Sequence, residues 1–175
     1  MTTATQMLTL EHKNIIKVID ALKRECDAIE KGKSIDKEFF SKSIDFIKGY
    51  ADHFHHAKEE DILFIELNKD DVKMHCNPTG QMLHEHDIGR EFVMNLEKAV
   101  KENNSKKVVE NAVGYANLLE EHIMKEDKIL YPMADEALSE KTQKEMLGKF
   151  NKIEKDSSKE KDKYLAFIKE AEKRK

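Results

Sequence analysis

The segment HHAKEEDILF, His55 to Phe64, returns as HIMKEDKILY from His122 to Tyr131. Each copy carries a histidine, a lysine three residues on, a glutamate at the fourth position and a leucine before an aromatic residue. An α-helix turns by about 100° per residue, so positions i and i+4 lie about 40° apart and one turn along. The pairs His55/Glu59 and His122/Glu126 therefore each occupy one helix face. Counted from His122, Leu119 falls at about 60°, Leu130 at about 80° and Ile129 at about -20°; from His55, Leu63 falls at about 80° and Ile62 at about -20°. Both pairs are expected to point into an apolar stripe. An unpaired carboxylate in such a place costs on the order of several kcal/mol, so something must compensate the buried charge.

The rest of the chain supplies the helices to enclose such a site. Six glycines, two prolines, no tryptophan and 38% charged residues in 175 favour helix over sheet and a single core. Apolar residues at helical spacing run from Leu8 to Lys31, with Gly32 as the stop. A second helix, capped by Ser34, carries Phe39, Phe40, Ile44, Phe46, Ile47 and Tyr50 into the first repeat and ends near Asn68. The turn Asn77-Pro78-Thr79-Gly80 precedes a third helix, Asn103-Asn104-Ser105 breaks it, and a fourth extends to about Ala137, with Pro132 a possible kink. Four amphipathic segments on short connections predict an all-α, antiparallel up-down four-helix bundle over residues 1–138. Residues 139–175 form a charged extension of one or two helices, with residues 155–163, KDSSKEKDK, as a flexible joint.

Several classes of function are excluded or disfavoured. The formal charge of -4 is small and interleaved, so no nucleic acid is expected as a partner. No stretch approaches the ~20 apolar residues of a membrane span, and the N-terminus lacks a leader pattern, so no membrane association and a cytoplasmic location are expected. Cys26 and Cys76 cannot form a metal cluster alone and do not resemble a disulfide framework.

Two further histidines complete a pattern. His12, in LEHK, and His86, in HEHD, each lie on the helix preceding an H-x-x-x-E helix. The bundle then reads His, His-x-x-x-Glu, His, His-x-x-x-Glu, an approximate two-fold repeat in which every helix offers a ligand. Two carboxylates bridging two cations, with imidazoles at the outer positions, would satisfy all six groups. Hard carboxylate oxygen with borderline imidazole nitrogen suits iron or manganese and tolerates zinc. Calcium would want more oxygens.

In these segments, LEHK, HHAKEEDILF, MLHEHDIGR and EEHIMKEDKILYPMA, the chain resembles the hemerythrin-like (HHE cation-binding) domain family over roughly Leu8 to Ala137, in a standalone prokaryotic form. The resemblance implies two non-haem iron ions with an oxo or hydroxo bridge, held by the bridging carboxylates Glu59 and Glu126 and by His12, His55, His86 and His122. Oxygen-carrying members place two histidines one turn apart on the third helix. Here Met82 and Arg90 stand one turn from His86, and His56 is the candidate for the fifth imidazole, since Glu59 lies angularly between His55 and His56. Its counterpart in the second repeat is Ile123, so the two halves would be unequal and one iron would keep an open position.

His53, His75 and His84 are read as surface residues, and Lys58 and Lys125 as snorkelling at the edge. Glu60 and Asp127 either orient ligand imidazoles or face solvent. Tyr115 and Tyr131 are read as core, and Met7, Leu8, Leu83, Leu119 and Ile123 as the wall of a ligand pocket. The expected function is binding, storage or sensing of O₂, with NO or peroxide as other small ligands and an electron donor as a possible partner. The alternative is a di-iron enzyme acting on peroxide or NO, or an iron donor for iron-sulfur cluster repair.

Overall fold

A computed structural model describes residues 3–174 as six helices, with no strand among the described residues. Helix α1 is Ala4–Glu30, opened by a capping box in which Thr3 and Gln6 satisfy each other's backbone N–H groups. Helix α2 spans 37–67, and its cap is Asp36, whose carboxylate accepts from the Phe39 N–H at 3.0 Å, rather than the expected Ser34. Helix α3 is Thr79–Lys101, and α4 spans 105–137 with Asn104 as its cap. Two short helices follow, α5 (Glu140–Asp156) and α6 (Ser158–Glu172). The joint expected over residues 155–163 reduces to the single turn residue Ser157; the rest of that span is helical.

Helices α1 to α4 form the expected bundle, α1 packing on α2 and α4, and α3 on α2 and α4. Gly114 makes room for Phe92 between α3 and α4, since a Cβ there would stand 2.5 Å from the Phe92 ring. Helices α5 and α6 lie across α1 and α2 and share their core, with α5 also meeting the end of α4. Phe167, Ile168 and Ala171 join the cluster built on Ile19, Leu22 and Phe46, while Met146 and Phe150 join that built on Leu8, Leu63 and Leu130. Gly49 permits the seating of α6, since a Cβ there would lie 1.7 Å from the Tyr164 hydroxyl.

These two apolar clusters are separated by a polar layer. On α1 the layer is Glu11 and His12, between Leu8 and Ile15; on α2 it is His55 to Glu59, between Phe54 and Ile62. On α3 it is Glu85 and His86, and on α4 His122 and Glu126. Hydrophobic burial above and below thus clamps the layer between two apolar clusters.

Candidate metal centre

The local backbone departs from a regular α-helix where the site is built. The Phe64 N–H bonds to the Glu59 carbonyl and the Tyr131 N–H to the Glu126 carbonyl, five residues back instead of four. A wider turn thus begins at each repeated glutamate. A longer π-helical stretch, Ile47–His56, precedes the first. Such turns cost hydrogen-bond geometry and concentrate at functional sites. Here the first stretch ends on two consecutive inward residues, His55 and His56, both buried.

All seven residues singled out from the sequence meet in the layer. Ligating atoms of His12, His55, Glu59 and Glu126 fall within 4.8 Å of one another, as do those of His56, Glu59, His86 and His122. Glu59 belongs to both sets. The His86 and His122 Nε2 atoms lie 3.0 Å apart, and Glu59 Oε2 lies 3.8 Å from His55 Nε2 and 3.6 Å from His86 Nε2. Glu126 sets its two oxygens 3.2 Å from His12 Nε2 and 3.1 Å from His122 Nε2.

Each imidazole is held by its other nitrogen. Nδ1 of His12 faces Asp127 at 2.9 Å, that of His55 faces Glu11 at 2.8 Å, and that of His56 faces Asp52 at 3.3 Å. Nδ1 of His86 faces Glu60 at 2.7 Å and that of His122 faces Glu85 at 2.8 Å. A carboxylate on Nδ1–H fixes the tautomer and leaves a lone pair on Nε2, the arrangement a cation requires. Asp127 and Glu60 thus take the orienting role rather than facing bulk solvent. The sequence reading missed Glu11, Glu85 and Asp52. Its available signal was the Glu-His dipeptide shared by LEHK and HEHD, since each glutamate serves the histidine of the next helix.

Three buried carboxylate oxygens at the centre, Glu59 Oε2 and both of Glu126, have no hydrogen-bond partner. The imidazole contacts to Glu126 are close enough for ion pairing but lack hydrogen-bond geometry. Orphaned buried acceptors are rare because each carries its full desolvation cost. Facing a ring of Nε2 atoms, they fit a site for cations, and carboxylate oxygen with imidazole nitrogen is a donor set for first-row metals.

Without a cation the charges balance through protons. Burial and the neighbouring Glu126 charge push the Glu59 carboxyl well above the usual carboxylate range. Burial also opposes the ionised form of Glu126, but the His122 and His12 imidazoles prevail and hold it well below that range. Burial opposes the charge on His12 too, yet Asp127 and Glu126 raise it to about 9, and Glu126 and Glu85 raise His122 in the same way. Burial holds His55 and His56 below the ordinary histidine value and takes His86 down to about 2.

The halves differ at three points. Tyr131, read as core, donates its hydroxyl to Glu59 Oε1 at 2.5 Å and stands 3.3 Å from His12 Nε2. Phe64, its counterpart in the first repeat, packs near His86 without a polar atom. His56 stacks on His86 with ring centroids 3.8 Å apart, where the second repeat has Ile123. The lysines also differ. Lys58, expected at the edge, is fully buried, whereas Lys125 is 29% exposed. His53, His75 and His84 are exposed as expected.

A cavity of about 320 Å³ opens between α2, α3 and α4 onto His56, His86 and His122, walled by Val93, Tyr115 and Leu119. Leu119 is the one expected wall residue that lines it. Leu8 packs in the core with Leu63, Met7 lies against that cluster, Ile123 belongs to the other, and Leu83 is exposed.

The fold and the layer define a class: an all-α bundle with a buried histidine and carboxylate site for cations. The family model of the hemerythrin HHE cation-binding domain matches residues 3–134, and the chain belongs to that family. No curated protein and no solved structure matches it significantly. None of the helices is long and apolar enough to cross a membrane, among the described residues.

Proposed function

We propose that this protein holds two iron ions in the layer and binds O₂, or NO or peroxide in its place, for oxygen binding, storage or sensing. The observation that carries the reading is the sharing of Glu59 by two four-residue sets, with three partnerless carboxylate oxygens between five carboxylate-oriented histidines. When bound, a pair of iron ions supplies the electrons that such small ligands accept. The chain's own part is to keep Nε2 of each histidine free and admit a small ligand. His12, His55, Glu59 and Glu126 would hold one ion, and His56, Glu59, His86 and His122 the other. The cavity lined by His56, His86 and His122 gives a small ligand its approach on the side of the second set.

Elemental analysis of purified protein, followed by stopped-flow spectra of the reduced form mixed with O₂, tests this. Two irons per chain and a reversible spectral change support a carrier or sensor. Turnover with peroxide or NO, or loss of iron on oxidation, supports the enzyme or iron-donor alternative. Manganese in place of iron refutes the iron assignment, and zinc, which has no redox chemistry, refutes the redox reading. Glu59→Ala and Glu126→Ala are expected to lose the paired site, whereas His56→Ala retains metal with an altered spectrum.

A further inference from the structure

We propose that the C-terminal helix α5 is part of the metal centre, with Glu154 acting through Lys58 and Glu11 as a positioning residue for His55. The inference rests on the reading that His55 holds a metal. It concerns a segment outside the family match, which ends at residue 134.

Four groups from three helices form the chain of contacts. His55 Nδ1 donates to Glu11 Oε2 at 2.8 Å, and Lys58 Nζ donates to the other Glu11 oxygen. Lys58 also donates to Glu154 Oε1 at 2.7 Å, and Lys161 on α6 donates to the remaining Glu154 oxygen. The Lys58 ammonium lies 3.7 Å from the centre of the Phe54 ring and has no exposed surface. Such an ammonium depends on its carboxylates, because there is no water to replace a lost partner. Glu11 is already committed to His55. Glu154 therefore supplies the second acceptor that lets Lys58 stay in place without drawing Glu11 off the imidazole.

The other repeat serves as an internal comparison. Lys125 donates to Glu85, which accepts from His122 Nδ1, but no second carboxylate reaches Lys125 among the described residues. Being partly exposed, Lys125 has water instead. The two halves thus share the inner link from lysine to glutamate to histidine, and only the His55 half is tied to an appended helix. A carboxylate that orients a ligand histidine fixes which nitrogen carries the proton, and losing it weakens metal binding.

The test uses the full chain loaded with Fe²⁺ under anaerobic conditions and measures release to a chelator. Glu154→Gln is expected to accelerate one of two release phases by about 10-fold, the lower end of the effect of removing a ligand's orienting partner, and to leave the other phase unchanged. Lys58→Met should accelerate the same phase, and the double variant should add nothing further, because both act along one path. Lys161→Gln should leave release unaltered. Nitrogen-labelled histidine in the metal-free protein gives a readout without iron: the protected His55 Nδ1–H signal should be lost in Glu154→Gln. Wild-type release rates with that signal retained would overturn the proposal, as would equal acceleration of both phases with a lowered melting temperature, which marks a merely structural role. If wild type takes up no Fe²⁺, the metal reading falls, and the histidine signal still decides whether Glu154 positions His55.

Discussion

At the scale of single residues, the metal-free site is a store of protons that a cation must displace. His12 has its pKa raised to about 9, and His122 and Glu59 are raised too, so between pH 6.5 and about 9 the folded chain binds more protons than the unfolded chain. Stability of the metal-free protein should therefore fall as pH rises through that window. His55, His56 and His86 shift downward and affect stability only below about pH 6.5. Metal binding has the opposite sign, because ligands must lose their protons first. Melting curves at several pH values should thus show the gap between loaded and metal-free protein widening toward pH 9; a constant gap would refute the proton inventory. A second expectation concerns Tyr131→Phe, which would make the second repeat match the first at this position. Removing the hydroxyl leaves Glu59 Oε1 without its donor and should cost about 1–3 kcal/mol in denaturant unfolding.

At the scale of the helix, the repeats show how far periodicity carries. The i, i+4 count placed both His/Glu pairs inward, and Glu59 and Glu126 are fully buried. The same count placed Ile62 and Ile129 inward, yet Ile62 is 7% exposed and Ile129 50%. They occupy corresponding positions on corresponding wide turns, so the helix does not decide between them. Ile62 lies in a cluster with Met146 and Phe150 of α5, whereas among the described residues Ile129 belongs to neither cluster. The cover on Lys58 has the same origin, which is why a sequence reading that treated the lysines alike failed for one of them. Docking of α6 has its own local requirement. Gly49→Ala would drive a Cβ into Tyr164, and the displacement should cost about 1–3 kcal/mol, the range for an overpacked contact, measurable as a lower denaturation midpoint.

For the whole molecule, the polar layer divides the core in two and the appended helices contribute to both parts. Phe167 and Ile168 enter one cluster, Met146 and Phe150 the other. Removing residues 139–175 should thus uncover Ile62, Lys58 and the faces of α1 and α2 together. The truncated chain is expected to melt more than about 10 °C lower, since each buried aromatic or aliphatic side chain contributes about 1.5–3 kcal/mol. Calorimetry of the truncated protein checks this, and an unchanged melting temperature would mean that the bundle is self-sufficient. The sequence by itself determined the helices and the inward seam of histidines and glutamates, because both follow from a rotation per residue that any helix imposes. It could not determine the carboxylates behind those histidines, the tyrosine hydroxyl on Glu59 or which lysine loses its water. Those depend on groups far apart along the chain, Glu11 with His55 and Lys58 with Glu154, whose meeting is fixed only when whole helices pack.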